Sequence, residues 1–233
     1  VTPMRAPSDG PMGDSSLSLD DGTACILDQN DAHPLDIDAL LSFGKPDAYF
    51  TQFSGAIWWP MAYDLPLEEK QHFAKLKREA QTKRALFYID KIDAPHVFPH
   101  AGPPAFYDDE LFAFNGTGQN DDGIFTDQVE FLRELEQARP DINGHNFMPG
   151  TVVDINNGDV KISQTLYSEA EIEAIFADKW AYFEKQRAER QAEIARDKAT
   201  WATPSSPDSM LAEIKAWWEP LMKRAPLLCD GIG

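Results

Sequence analysis

An aspartate and a histidine, each at the end of a strand-like run, are the residues of this chain best placed to do chemistry. Asp31 follows Ile26-Leu27-Asp28-Gln29-Asn30, and His100 follows His96-Val97-Phe98-Pro99. A carboxylate and an imidazole brought together from separate strand ends can ligate zinc or iron. A third strand end opens into the aromatic loop Ser54 to Asp64, where Trp58, Trp59 and Tyr63 are the candidate lining of a substrate pocket. In sheets with helical crossovers, such loops at the carboxyl ends of strands gather ligand groups. Each feature also has a purely structural reading. A histidine closing a buried strand packs, an aspartate shortly before a proline turns the chain, and loop tryptophans cover the sheet. His72 falls within a helical pattern as a surface residue, and His96 as a packing or capping one.

The elements that would position these groups follow from periodicity. Ser16-Leu17-Ser18-Leu19 and Ala24 to Leu27 alternate around Asp20-Asp21-Gly22, a hairpin signature. Asp36 can cap a short helix over Ile37 to Phe43 that Gly44 ends. Residues 47 to 53 form a further strand, Leu67 to about Ile89 an amphipathic helix, and His96 to Phe98 a buried strand. This order of strand, strand, helix, strand, helix, strand predicts an α/β layer. Beyond it come a short helix near Glu110, a helix from Thr126 to Ala138, and a hairpin around Asn156-Asn157-Gly158. Ser168 and Glu171 have capping-box spacing ahead of a long charged helix to about Ala199. After the breaker TPSSP, a last helix carries Leu211, Ile214, Trp217, Trp218 and Leu221, its tryptophans expected to anchor it.

Taken in order, GTACILDQNDAHP, the Ser-Gly-Ala loop with its tryptophans, the Glu-Glu-Lys helix and HVFPHAGPP resemble the second half of metallo-β-lactamase-fold proteins. The match in wording is closest to the CMP-N-acetylneuraminate hydroxylase and ascorbate-phosphate lactonase branches, over roughly residues 10 to 160. The resemblance implies an α/β fold, the second half of an αββα sandwich, over residues 1–163, with a helical extension over 164–233. It implies Asp31 as a bridging metal ligand and His100 as a terminal one. The His-x-His-x-Asp-His loop of that superfamily does not occur among His33, His72, His96, His100 and His145. A divalent metal (zinc, iron or manganese) is therefore expected only when a missing half of the fold, or a partner chain, supplies the other ligands. Completed in this way the chain would be a metal-dependent hydrolase. The alternatives are part of a Rieske-coupled iron oxygenase or a non-catalytic assembly module, and self-association into a homo-oligomer is expected of an uncovered sheet.

Composition bounds the partners. The 233 residues carry a formal charge of −18, which opposes nucleic acid and anionic lipid. No apolar run approaches the roughly 20 residues of a membrane span. Cys25 and Cys229, the two cysteines, suit a reducing cytoplasm and exclude an all-thiolate metal site. Acidic pairs in polar loops, Asp108-Asp109 and Asp121-Asp122, do not specify acid–base work, and GTGQND lacks the lysine of a phosphate loop.

Overall fold

The side chain of Asp21 accepts hydrogen bonds from the amides of Thr23 and Ala24, and Gly22 takes the left-handed φ of +85° that the turn requires. Around this turn, in a computed structural model that describes residues 2–55, 57–109, 111–115, 123–201 and 206–224 apart from 6–13, the hairpin forms as its alternation predicts. The elements are β1 (Thr2–Arg5), β2 (Ser15–Asp20), β3 (Cys25–Asn30), α1 (Ile37–Leu41), β4 (Ala48–Gln52), α2 (Leu67–Ile92) and β5 (His96–His100). They continue with a 3-10 turn (Phe112–Asn115), α3 (Gln128–Ala138), β6 (Asn143–Gly144), β7 (Thr151–Asn156), β8 (Asp159–Gln164), α4 (Glu169–Ala177), α5 (Lys179–Thr200) and α6 (Pro207–Arg224).

Strands β1 to β6 make one sheet in sequence order. The first three pair antiparallel, while β3, β4, β5 and β6 run parallel, with α1, α2 and α3 in the crossovers. The α/β class is thus present. The described residues hold one six-stranded sheet and a separate β7–β8 hairpin. The chain divides into two compact units, Val1–Glu189 and Arg190–Gly233. This boundary lies beyond the one expected at 163/164, because the start of α5 is anchored on the first unit. Lys179 pairs with Asp127, and Trp180 packs edge-on against Phe112 at 4.8 Å between ring centres. Arg187 lies over the same Phe112 ring and pairs with Asp109. The single charged helix expected from Glu169 is two helices, since Asp178 interrupts it and its carboxylate accepts from the Ala181 amide to restart the next. In α6 the tryptophans do not anchor against a core: Trp217 and Trp218 are exposed, with their rings 5.9 Å apart and tilted by 47°. Glu110, Asp121-Asp122, the whole GTGQND stretch and Cys229 lie outside the described residues.

One face of the sheet is a hydrophobic core. Strand alternation sends Leu27, Tyr49 and Val97 to the same side, where they meet Ala85, Ile89 and Ile92 of α2 and Phe131 and Leu135 of α3. Helix α2 runs to Ile92, three residues beyond the expected end, and Asp93 terminates it in a left-handed conformation. The face it buries is Ala74, Gln81, Ala85, Tyr88, Ile89 and Ile92, while Leu76 and Ala80 are exposed, so the helix is not the regular amphipathic stripe its pattern predicts. A polar cluster is buried inside this core. The Tyr49 hydroxyl donates to Gln29 Oε1 at 2.5 Å and lies 3.2 Å from the Thr51 hydroxyl. Gln29 Nε2 donates in turn to the Ala32 carbonyl at 2.8 Å, and the Tyr88 hydroxyl to that of Pro34 at 3.0 Å. Burial pushes the Tyr49 phenol far above its ordinary pKa, so it stays a donor. These bonds tie the loop that carries Asp31 to the sheet.

The loops after β4 and β5 are held together by lack of space. A Cβ on Gly55, at φ +68°, would come within 2.1 Å of Gln81 Nε2, and one on Gly102 within 2.3 Å of Ser54 Oγ. The Ser54-Gly55 and Ala101-Gly102 pairs are therefore packing devices at adjoining strand ends.

Replacing Tyr49 by Phe keeps the ring but strands the Gln29 oxygen in a dry core. We expect Tyr49→Phe to lower unfolding stability by about 1–3 kcal/mol, read from urea titrations. A loss below about 0.5 kcal/mol would show that the cluster does not carry this load.

Candidate functional site

The opposite face of the sheet carries imidazoles and phenyl rings. Parallel register places Asp28, Phe50 and Phe98 side by side across β3, β4 and β5, with Gln52 beside His100 and Ala48 beside His96. Because residues two apart share a face, His96, Phe98 and His100 all point away from α2. Beyond β6, His145 and Phe147 join the same surface. Phe50 stacks on Phe98 at 4.6 Å, and Phe98 stacks on His145 at 4.7 Å. Phe147 closes the array edge-on against Phe50 at 5.4 Å and His100 at 6.4 Å. Phe98 is fully buried by these neighbours.

Two pairs of titratable groups border the stack. His100 Nε2 lies 3.1 Å from Asp28 Oδ1, with both side chains partly open to solvent. His96 Nδ1 lies 2.9 Å from His145 Nε2. In such a contact one ring must donate and the other accept, so the two imidazoles can share a proton but cannot both be charged. Burial lowers the pKa of His145 to about 4, with repulsion from His96 adding to it. Burial also lowers that of His96, against the opposing pull of Asp47. The surface thus offers a carboxylate–imidazole pair that can orient or pass a proton at His100 Nε2. It also offers an imidazole pair kept neutral at ordinary pH.

The residues singled out from sequence fall differently. His100 is on this face, but its carboxylate partner is Asp28, whereas Asp31 is exposed on the turn after β3. The bulge between Asp28 and Asn30 and the left-handed Asn30 redirect the chain there. Among the described residues no group of three His, Cys, Asp or Glu side chains is arranged to hold a metal ion. Trp58 packs on Phe106 at 4.8 Å, and Trp59 on Tyr63 and Phe73 at 4.9 and 5.2 Å. This aromatic cover adjoins the second hydrophobic cluster of Met61, Ala74, Phe106, Ile124 and Phe125. Asp28, Phe50, His145 and Phe147 were missed. The available signal was a repeated His-x-Phe, at His96-Val97-Phe98 and His145-Asn146-Phe147, the first on β5 and the second directly after its parallel neighbour.

No family model matches the chain, and no solved structure matches it. Among curated proteins, a Rieske 2Fe-2S iron–sulfur protein of Mycolicibacterium smegmatis is 38% identical over 239 residues, covering 100% of this chain and 45% of its own length. Two proteins of the same description, from two strains of Mycobacterium tuberculosis, are 37% identical over 235 residues with the same coverage. The chain spans about half the length of the curated relatives it matches. These relatives bear the name of Rieske proteins, not of metallo-β-lactamase-fold proteins, and that overturns the resemblance to the latter superfamily. The hydrolase reading and its zinc or manganese fall with it; an iron-based cofactor is compatible with the relatives. The physical reason is plain. A carboxylate and a histidine at the ends of parallel strands arise in any α/β sheet, and short motifs in that order do not single out one family.

A Rieske cluster takes two cysteines and two histidines. Cys25 is the one cysteine among the described residues, at the start of β3, where burial raises its thiol pKa and Asp20 and Asp47 add to the effect. No described histidine or second cysteine forms a metal-binding group with it. The described residues do not fit the cluster.

The pH dependence of stability follows from the imidazole pair. The unfolded His145 side chain binds a proton near pH 6.5 and the folded one only near 4. Its stabilising contribution is therefore complete above about pH 6.5 and is lost as pH falls towards 4. We expect a decline of roughly 2 kcal/mol across that window, after discounting for partial exposure. In His145→Phe, which keeps the stack on Phe98, most of that slope should vanish. Equal slopes in the two proteins, followed by urea denaturation at each pH, would refute the assignment.

Proposed function

We propose that this chain is an α/β module of a Rieske-type iron–sulfur redox protein, working with a cluster-bearing segment or partner chain that supplies the cysteine and histidine ligands. The observation that carries this reading is the 37–38% identity over the whole chain to proteins named for that cluster. When bound, such a cluster supplies one electron at a time. The finer reading is an iron oxygenase, with the module helping to hold substrate or handle protons.

On this reading the partner meets the imidazole face. The other face is covered by α1, α2 and α3, whereas His100 and Asp28 retain solvent contact. His100, steadied by Asp28, can give or take a proton beside an incoming group, and Phe50 and Phe147 pack edge-on against its ring. The net charge of −18 disfavours nucleic acid as the partner. Among the described residues no helix is long and apolar enough to cross a membrane. We extend the reading to a cytoplasmic location, which the sparse cysteines favour.

Anaerobic reconstitution with iron and sulfide tests the proposal. The chain alone should give no Rieske absorption or electron paramagnetic resonance spectrum, while the polypeptide that also contains the cluster segment should give both. A Rieske spectrum from the chain alone would contradict the division of labour. Absence of any cluster in the longer polypeptide would contradict the redox assignment itself.

A further inference from the structure

The start of α5 and the end of α4 close over the loop after β5 and the first turn of α3. Between them lies a cleft of about 140 Å³, and all of its lining residues belong to the first unit. Its walls are apolar, with Phe125, Ile175, Phe176 and Phe183 prominent. Asn115, Gln128 and Tyr182 also line it, and its charged feature is the ion pair of Lys179 with Asp127, whose side chains are only 12% and 8% exposed. Both oxygens of Asp127 are engaged: one accepts from the Glu130 amide at 2.8 Å as the cap of α3, and the other takes Lys179. The Lys179 ammonium has three N–H groups and directs one to Asp127, which leaves two for an acceptor in the cleft.

We propose that this cleft binds a neutral single-ring aromatic molecule bearing one carbonyl or hydroxyl acceptor. Size sets the ring count, because an apolar cavity of about 150 Å³ accommodates benzene. The phenyl walls set the aromatic character, through edge and face contacts with the guest. The ion pair sets the charge. Lys179 is already balanced by Asp127, so an anionic guest would bring a second, uncompensated negative charge into an apolar space. A neutral acceptor instead uses the spare ammonium donors without disturbing that balance. This site is independent of the proposed redox role.

The test is calorimetric or ligand-observed NMR titration of the intact chain with acetophenone, toluene and benzoate. Acetophenone should bind about tenfold more tightly than toluene, as a hydrogen bond to a charged donor implies, and benzoate should be the weakest. In the paired variant Lys179→Met with Asp127→Asn, which keeps a capping side chain on α3, that preference should disappear while toluene binding remains. Ala105→Trp, which adds bulk at an exposed residue of the lining, should abolish binding of all three. Toluene binding as tightly as acetophenone, benzoate binding best, or binding unchanged in Ala105→Trp would each overturn the assignment. So would failure of the wild-type chain to bind any of them.

Discussion

Parallel pairing of β3, β4 and β5 in a fixed register is the constraint on which the rest of this molecule depends. Backbone hydrogen bonds set Asp28, Phe50 and Phe98 in one row, and the pleat sends every second residue to the same side. A slip of one residue would exchange Leu27, Tyr49 and Val97 for Asp28, Phe50 and Phe98, putting a carboxylate into the core and an apolar row into water. The register is pinned from inside by Gln29, Tyr49 and Thr51, buried residues joined by hydrogen bonds, with the Gln29 amide donating on to the Ala32 carbonyl. Burial of the apolar row stabilises any strand pairing, but that hydrogen-bond cluster fits only this one.

The same register gives the sheet two chemistries. Towards α2 and α3 it is apolar and closed. On the far side it presents imidazoles backed by phenyl rings, an arrangement suited to holding protons near a partner. The pKa of His145 is low because its ring is buried against Phe98 and faces a second imidazole, so that ring is held neutral. The helices that follow β8 add a different element. By anchoring on Asp127, Phe112 and Asp109, the start of α5 closes a small apolar cleft that the sheet alone would not form.

Much of the fold is legible in the sequence, because the signals are local. The Asp21-Gly22 turn, the Asp36 and Ser168 caps and the Asn157-Gly158 hairpin each declare themselves within a few residues. The site is less legible, because its pairs are separated by 72 residues for Asp28–His100 and 49 for His96–His145. Nothing in the neighbourhood of Asp31 distinguishes it from Asp28 as the partner of His100; the bulge after Asp28 decides, and bulges have weak sequence signatures. The family resemblance failed for a related reason. It rested on short strand-end motifs, whereas the identity to Rieske proteins extends over the whole chain.

The central claim is that the imidazole face meets an iron–sulfur partner, and paramagnetic NMR addresses it most directly. In the polypeptide that includes the cluster segment, the ring resonances of His96, His100 and His145 would be followed with the cluster oxidised and reduced. The account predicts redox-dependent broadening of these rings, strongest at His100, with Phe131 and Leu135 in the opposite core unaffected. Equal broadening on both faces, or none on the imidazole face in a cluster-loaded protein, would contradict it.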